Sequence, residues 1–127
     1  MAYLLDTHVF YWLMADSPLL RATHRTILIG TDEVVYVSAV SGWEIATKVR
    51  LGKWPEAALL LPGLERFIAE AGLEPLPLTV AQAESAGTFT VTHKDPFDRL
   101  LAAQALDRGL TMLTVDPAIS LFGCKVT

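Results

Sequence analysis

The 127-residue sequence is poor in several features that define common classes of protein. It has a single cysteine, Cys124, so no disulfide can form within the chain. It has no uninterrupted apolar run of about 20 residues, which argues against a membrane span. Asp6 and His8 interrupt the apolar N-terminus and no basic segment precedes it, so no secretory signal is expected. These features predict a cytoplasmic protein.

Several catalytic motifs are also missing. There is no glycine-rich phosphate loop of the Walker type, no Gly-x-Gly-x-x-Gly turn and no Gly-x-Ser-x-Gly elbow. Cys124 has no histidine near it in the sequence, which argues against a thiol nucleophile. The three histidines, His8, His24 and His93, are scattered, whereas a zinc site would need paired ligands. The common phosphate-loop, serine-nucleophile and thiol-nucleophile enzymes therefore do not fit.

The charge balance is slightly acidic, with a net charge of −4. Taken alone, this argues weakly against a nucleic-acid partner, but a bound cation would invert the local charge of an acidic site. Hydrophobic residues, in contrast, are abundant: they make up 52% of the chain, and the mean hydropathy is +0.39. This value suits an α/β domain whose parallel strands are covered on both faces, or a domain with an apolar partner surface.

The hydrophobic pattern alternates between strand-like and helix-like segments. Short apolar runs predict strands at 2–5, 34–37, 76–78, 111–115 and 125–127, with prolines making 76–78 an edge strand or an irregular one. Helical spacing and capping residues predict helices at 9–15, 19–29, 55–71 with a break at Pro62-Gly63, 80–86, 96–108 and 118–122, and one between Ser38 or Ser41 and Gly52. This alternation predicts one α/β domain over residues 1–127, with a parallel sheet between two helix layers.

The stretch 92–105 joins a polar loop to an apolar helix and carries two acids at the junction. Asp95 is a suitable N-cap, Pro96 suits the first helical position, and the acid Asp98 suits the positive end of the helix dipole. Helix chemistry therefore explains much of this stretch on its own.

Three more acids are expected at the same edge of the sheet. Asp6 and Asp116 each follow a predicted strand, while Glu44 and Asp98 lie in the first turns of predicted helices. Ligand sites in open α/β sheets form at the carboxyl ends of the strands, where the following helices begin. Clustered carboxylates repel one another and are costly to bury unpaired, so such a cluster needs a cation. Oxygen ligands favour Mg²⁺, with Mn²⁺ as the alternative.

Each acid also has an ordinary structural explanation. Asp6 and Asp116 could cap the helices that follow them, and Glu44 could pair with Lys48 four residues later, which is worth only about 0.2–0.5 kcal/mol. Taken singly, caps and solvated charges are the commoner explanation. A metal site is nevertheless predicted, because all four acids fall at the same edge of the sheet.

Four stretches resemble the PIN-domain family, and within it the VapC-like ribonuclease toxins of bacterial toxin–antitoxin pairs. They are YLLDTH at 3–8, VSAVSGWEI at 37–45, DPFDRLLAAQA at 95–105 and LTVD at 113–116. They occur in the family's order and spacing, and the resemblance covers nearly the whole chain. It implies a PIN-like three-layer α/β/α sandwich with a mostly parallel sheet of four to five strands.

The resemblance also implies roles for individual residues. Asp6 and Asp98 would bind a metal directly, Glu44 would bind a metal or orient the attacking water, and Asp116 would complete the pocket or hold a second ion. The resemblance also implies positions near the acids that would support them or contact a phosphate, and these are Thr7, Ser38, Asp95, Arg99 and Thr114. For Arg99, a phosphate contact and a salt bridge to the acids are equally open.

The resemblance implies Mg²⁺-dependent cleavage of single-stranded or looped RNA. Basic residues that could hold the RNA backbone are Lys48, Arg50, Lys53 and Lys94, together with Arg99, although a solvated helix end is the slightly favoured explanation for the first three. The family also implies a homodimer and an antitoxin partner. Aromatic residues that could form a partner groove, a dimer face or only core are Phe10, Tyr11, Trp12, Trp43 and Trp54.

Two other functions would also place acids at the ends of strands. A signalling receiver domain would need an acceptor aspartate after a central strand, and a haloacid-dehalogenase-like phosphatase would need Asp-x-Asp where the chain has Asp6-Thr7-His8. Both fit poorly. A catalytically silent PIN-like metal-binding or interaction module remains as the alternative to the nuclease.

Overall fold

The computed structural model describes all residues, 1–127. Five strands form one sheet: β1 Tyr3–Leu5, β2 Val35–Ser38, β3 Glu74–Leu76, β4 Thr111–Leu113 and β5 Lys125–Val126. Their spatial order is β3-β2-β1-β4-β5, and all four neighbouring pairs are parallel. The predicted parallel sheet is therefore confirmed, with β1 at its centre.

Six α-helices surround the sheet: α1 Thr7–Met14, α2 Ala22–Gly30, α3 Ala39–Arg50, α4 Leu64–Glu70, α5 Val80–Thr88 and α6 Pro96–Arg108. Two 3₁₀ helices, Pro55–Leu60 and Pro117–Phe122, complete the secondary structure. The predicted break within 55–71 occurs at Pro62-Gly63, where Gly63 adopts a φ of 95° that suits glycine. None of the helices combines the length and apolarity needed to cross a membrane.

Two hydrophobic clusters lie on opposite faces of the sheet. Because side chains alternate along a strand, Leu5 of β1 enters one cluster and Leu4 enters the other. The first cluster contains Phe10 of α1 and Ile68 of α4, and the second contains Leu101 of α6. Helices therefore cover both faces, and the predicted three-layer α/β/α sandwich is confirmed.

Strand β3 lies two residues earlier than predicted. Leu76 is its last residue and pairs with Ser38 of β2. Beyond it, the carbonyl of Pro77 accepts a hydrogen bond from Gln104 Nε2 at 3.1 Å, so the chain leaves the sheet there. The edge position of this strand, which its prolines predicted, is confirmed.

The carboxyl ends of the central strands and the first turns of three helices meet at one edge. β1 is followed directly by α1, and β2 by α3, whose first turn Ser38 caps by accepting the Val40 N–H at 3.0 Å. β4 ends at Leu113, because the chain then turns and the N–H of Asp116 donates to Thr114 Oγ1 at 3.1 Å. This edge positions the acids.

Candidate active site

Asp6 is the buried acid at the end of the central strand. Only 7% of the residue is exposed, and its Oδ2 accepts a hydrogen bond from Thr114 Oγ1 at 2.7 Å. Its side chain makes no cap hydrogen bond to α1, although it occupies the N-cap position. Burial raises the pKa of Asp6, and the Thr114 hydrogen bond offsets only part of that rise. A capping role therefore does not explain why position 6 carries an acid.

Glu44 enters the same region from α3 and is 3% exposed. Lys48 Nζ donates to its Oε2 at 2.5 Å, one helical turn away. Its other oxygen, Oε1, is buried and has no hydrogen-bond partner. Buried polar groups are nearly always paired, so this free carboxylate oxygen points to a missing ligand.

Asp95 and Asp98 flank the start of α6. Asp95 Oδ1 accepts the N–H of Phe97 at 2.9 Å and that of Asp98 at 3.3 Å, which confirms its cap role. Asp98 then turns inward and its Oδ2 lies 2.8 Å from Nε2 of His93. Burial, with the nearby charges of Asp95, Asp6 and Glu44, raises the pKa of Asp98 to about 6 despite the hydrogen bond from His93.

Asp116 approaches from the turn after β4. Its Oδ1 accepts the N–H of Ala118 at 2.9 Å, so it also caps the following 3₁₀ helix. Ligand atoms of His93, Asp98 and Asp116 lie within 4.8 Å of one another, close enough to share one ion. Asp116 therefore combines the cap role with a position beside Asp98.

A cavity of about 290 Å³ joins these groups. It is lined by Asp6, His8, Trp12, Glu44, Lys48, Asp95, Asp98, Val115 and Asp116. All four acids predicted to bind metal line this one cavity. Thr114 is near them through its hydrogen bonds with Asp6 and with the backbone of Asp116.

The donor set fits a hard divalent cation. Asp6, Glu44, Asp98 and Asp116 supply carboxylate oxygens, the ligands that Mg²⁺ and Mn²⁺ prefer. Glu44 Oε1 has no other partner, and burial, with a smaller contribution from neighbouring carboxylates, raises the pKa values of Asp6 and Asp98. The imidazole of His93 adds a nitrogen ligand that Mn²⁺ accepts more readily than Mg²⁺ does.

Arg99 does not form the salt bridge to the acids that was one of its two predicted roles. Its guanidinium donates to four backbone carbonyls, those of Ala86, Phe89, Val91 and His93, at 2.6–3.0 Å. It makes no salt bridge to an acid, and it is not among the residues lining the acidic cavity. The predicted bracing of the acids is therefore wrong, because Arg99 holds the loop between α5 and α6. The phosphate contact stays a prediction.

Ser38 and Thr7, which were predicted to lie near the acids, are also not among the residues that line the cavity. Ser38 caps α3 and donates to Gln104 Oε1. Thr7 Oγ1 lies 2.8 Å from Ser41 Oγ and links α1 to α3. These hydroxyls position the elements that carry the acids and do not face the cavity.

Among the basic residues predicted to hold RNA, only Lys48 lines the cavity. Arg50, Lys53 and Lys94 are exposed and form no ion pair. Burial lowers the pKa of Lys48, but the hydrogen bond with Glu44 and the charges of Asp95 and Asp98 outweigh burial, so the net shift is upward.

Sequence reasoning missed three residues of the site. His93 is one of three scattered histidines in the sequence, yet it contacts Asp98. His8 and Trp12 also line the cavity, on the α1 side. His8 could have been found from its position two residues after Asp6, because the first turn of a helix stays close to the strand end that it follows. His93 lies in an irregular loop, for which the sequence gives no periodic signal.

Comparison with known proteins agrees with this arrangement. The PIN domain family model matches residues 3–123. Ribonuclease VapC22 of Mycobacterium tuberculosis is 28% identical over 113 residues, which cover 89% of this chain and 85% of that protein.

Two solved structures show the likeness in fold. VapBC2 of Rickettsia felis, bound to a DNA fragment from its promoter, superposes with a TM-score of 0.71 at 14% identity, covering 100% of this chain and 98% of that one. VapC20 of Mycobacterium tuberculosis, a toxin that cleaves the sarcin–ricin loop, gives a TM-score of 0.63 at 15% identity, with coverages of 96% and 95%. Fold, acidic edge and family match agree with the resemblance seen in the sequence, and the chain belongs to the PIN-domain family.

Proposed function

We propose that the chain is a Mg²⁺-dependent endoribonuclease that hydrolyses RNA phosphodiester bonds at the acidic cavity. The observation that carries this proposal is the convergence of Asp6, Glu44, Asp98 and Asp116 on one cavity, with a buried Glu44 oxygen left unpaired. The similarity to ribonuclease VapC22 supports the choice of RNA as substrate.

Asp6, Glu44, Asp98 and Asp116 would hold the cation, with Mn²⁺ as a possible substitute. When bound, the ion would supply a water of lowered pKa and neutralise charge that develops on the phosphate. The 2.7 Å hydrogen bond from Thr114 Oγ1 fixes the Asp6 carboxylate, so this side chain is oriented before an ion binds. Glu44 Oε1 is free to bind the ion or to accept a hydrogen bond from the attacking water.

Positive groups of the chain offset the acids around the substrate. Lys48 neutralises one oxygen of Glu44 and lies in the cavity, where it can also approach a phosphate. His93 is hydrogen-bonded to Asp98, and this contact raises the pKa of His93. The imidazole can therefore hold a proton beside the Asp98 carboxylate. The narrow cavity favours single-stranded or looped RNA, whose backbone is accessible outside a helix.

The test of this function is cleavage of a mixed RNA pool by protein freed of any co-purified partner. We expect cleavage with Mg²⁺ or Mn²⁺, none with chelator, and a loss of about 10²-fold or more in Asp98→Asn. Asp32→Asn is the matched control, because Asp32 is an exposed acid that makes no side-chain hydrogen bond or ion pair. Metal binding without cleavage of RNA pools from several sources would instead support the silent interaction module.

We further propose that the ribonuclease is the toxin of a toxin–antitoxin pair and forms a homodimer. The VapBC2 assembly that shares its fold supports this assignment. Trp43 is 57% exposed and packs edge-on against Phe97, so it is available to a partner, whereas Phe10 and Trp54 are buried. Induced expression should arrest growth, and Asp98→Asn should relieve the arrest while Asp32→Asn does not. Growth unaffected by the active protein would contradict the toxin assignment but not the nuclease.

A further inference from the structure

One wall of the acidic cavity is aromatic. His8 and Trp12, both on α1, line the cavity together with the carboxylates. The His8 ring stacks on Trp54 with a centroid distance of 4.5 Å and an interplanar angle of 20°. Trp12 lies at a tilt beside it, 6.0 Å from the His8 ring. Neither ring is needed to hold the carboxylates in place.

The ring beneath His8 is firmly fixed. Trp54 is 8% exposed and belongs to the hydrophobic core cluster. Its ring also contacts Tyr11 at 5.1 Å, and its backbone N–H donates to the carbonyl of Lys48 at 3.2 Å. Lys48 and Glu44 lie on the same helix, α3, so Trp54 is anchored to an element that builds the acidic site.

His8 itself is exposed. One face of its ring covers Trp54, which leaves the other face available to a flat ligand. The ring is two residues from Asp6, and both side chains line a cavity near the lower size limit of small-ligand pockets. This space suits one nucleotide and not a duplex.

We propose that His8, supported by Trp54 and flanked by Trp12, is a stacking platform for an unpaired nucleobase beside the phosphate that is cleaved. The inference rests on the proposed ribonuclease function and assigns a base-binding subsite to it. Single-stranded RNA is recognised mainly by stacking of splayed bases on aromatic rings. The acidic wall would then take the phosphate through its cation, and the aromatic wall would take the base.

Three variants separate stacking from the other roles of a histidine. His8→Ala removes the ring, His8→Gln keeps a hydrogen-bonding group without a ring, and His8→Phe keeps a ring without polar atoms. His8 is exposed and lies in the first turn of α1, so all three variants should fold. Thermal unfolding verifies this before any RNA is added.

The probes are labelled oligoribonucleotides of about eight residues, one for each homopolymer, with an abasic version of each as the control. Binding is followed by anisotropy with Ca²⁺ as the oxygen-seeking cation, and cleavage is followed with Mg²⁺. We expect His8→Ala and His8→Gln to bind the normal strands about 5- to 20-fold more weakly and His8→Phe to restore binding. KM should rise in parallel with little change in kcat, because stacking contributes equally to substrate and transition state.

The outcomes distinguish the subsite from the enzyme function. Abasic strands that bind as tightly as normal ones, or a His8→Ala protein with unaltered Kd, KM and cleavage positions, would overturn the platform while leaving the nuclease intact. Binding that depends on the His8 ring, in a protein that cleaves no RNA, would support stacking of a base on His8 but overturn the nuclease, and with it the position beside a cleaved phosphate. A protein that neither binds nor cleaves any strand would overturn both.

Discussion

Nε2 of His93 lies 2.8 Å from Oδ2 of Asp98, so the loop before α6 places an imidazole against one of the four clustered carboxylates. The hydrogen bond that His93 donates to Asp98 is the main reason why the pKa of His93 is raised. In the absence of a metal ion, this contact and the Lys48–Glu44 pair are the ways in which the chain offsets its own acids.

Metal affinity should fall as the pH is lowered through about 6. Burial raises the pKa of Asp98 to about 6, so protons compete with the cation for this carboxylate below that value. Calorimetric titration with Mg²⁺ between about pH 5 and about pH 8 measures the effect, and this dependence of the Mg²⁺ affinity on pH should disappear in Asp98→Asn. An affinity that stays constant over this interval would contradict the assignment of Asp98 as a ligand.

The metal-free protein should become less stable as the pH rises. The pKa of Asp98 is higher in the folded chain than its ordinary 3.8. Between about pH 4 and about pH 6 the folded chain therefore keeps a proton on Asp98 that the unfolded chain has released. The free energy of unfolding falls over that interval as the pH rises. The raised pKa of His93 acts in the same direction: its contribution is full below 6.5 and is lost as the pH passes its folded value.

Asp98→Asn should therefore raise the Tm of the metal-free protein at neutral pH. A gain of about 1 kcal/mol would correspond to roughly 4 °C in a domain of this size. Scanning calorimetry in chelator measures it, and saturating Mg²⁺ should stabilise the parent protein but not the variant. A variant with a lower Tm than the parent at pH 7 would show that the acids do not destabilise one another.

Lys48→Met should destabilise the metal-free protein by about 1–3 kcal/mol. Lys48 donates to a glutamate that is 3% exposed, and removing one partner leaves that buried charge uncompensated. Because a bound cation would replace the lost charge, Mg²⁺ should reduce the difference in stability between Lys48→Met and the parent protein. Urea unfolding with and without Mg²⁺ tests this, with Lys53→Met as the control at an exposed lysine, expected within about 0.5 kcal/mol of the parent.

Arg99→Lys should loosen the loop between α5 and α6 and lower activity without removing a ligand. Lysine cannot reproduce four hydrogen bonds to separate carbonyls, and one of these carbonyls belongs to His93. We expect a loss of about 1–3 kcal/mol in stability and faster amide hydrogen exchange over residues 87–94. Arg66→Lys, at an exposed arginine with one 3.9 Å ion pair, is the control. Unchanged exchange in this loop would contradict the role assigned to Arg99.

The parts of the fold that could be predicted were those with clear boundary residues. Helix α6 lies at its predicted bounds, because Asp95 and Pro96 begin it and Gly109, at a φ of 63°, ends it. Strand β3 was misplaced by two residues, because its apolar and proline residues fit more than one register and pairing with β2 selects one of them.

The candidate site could be predicted only where topology dictates it. Parallel strand order brings Asp6 and Asp116 to one edge, so their approach followed from the pattern of strands and helices. The partners of Arg99 are backbone carbonyls of an irregular loop, which no side-chain pattern reveals. The same loop conformation carries His93 to Asp98, and so its place at the site was missed as well.

The hydrogen bond between Thr114 and Asp6 joins residues 108 positions apart in the chain. During translation β1 is made long before its neighbour β4, which lies far later in the chain. A nascent chain therefore carries Asp6 and Glu44 before the strand that completes their cavity has been made. The proposed RNA-cleaving centre is complete only when residue 116 has emerged, so a fragment that ends before that residue would lack one of its four acids.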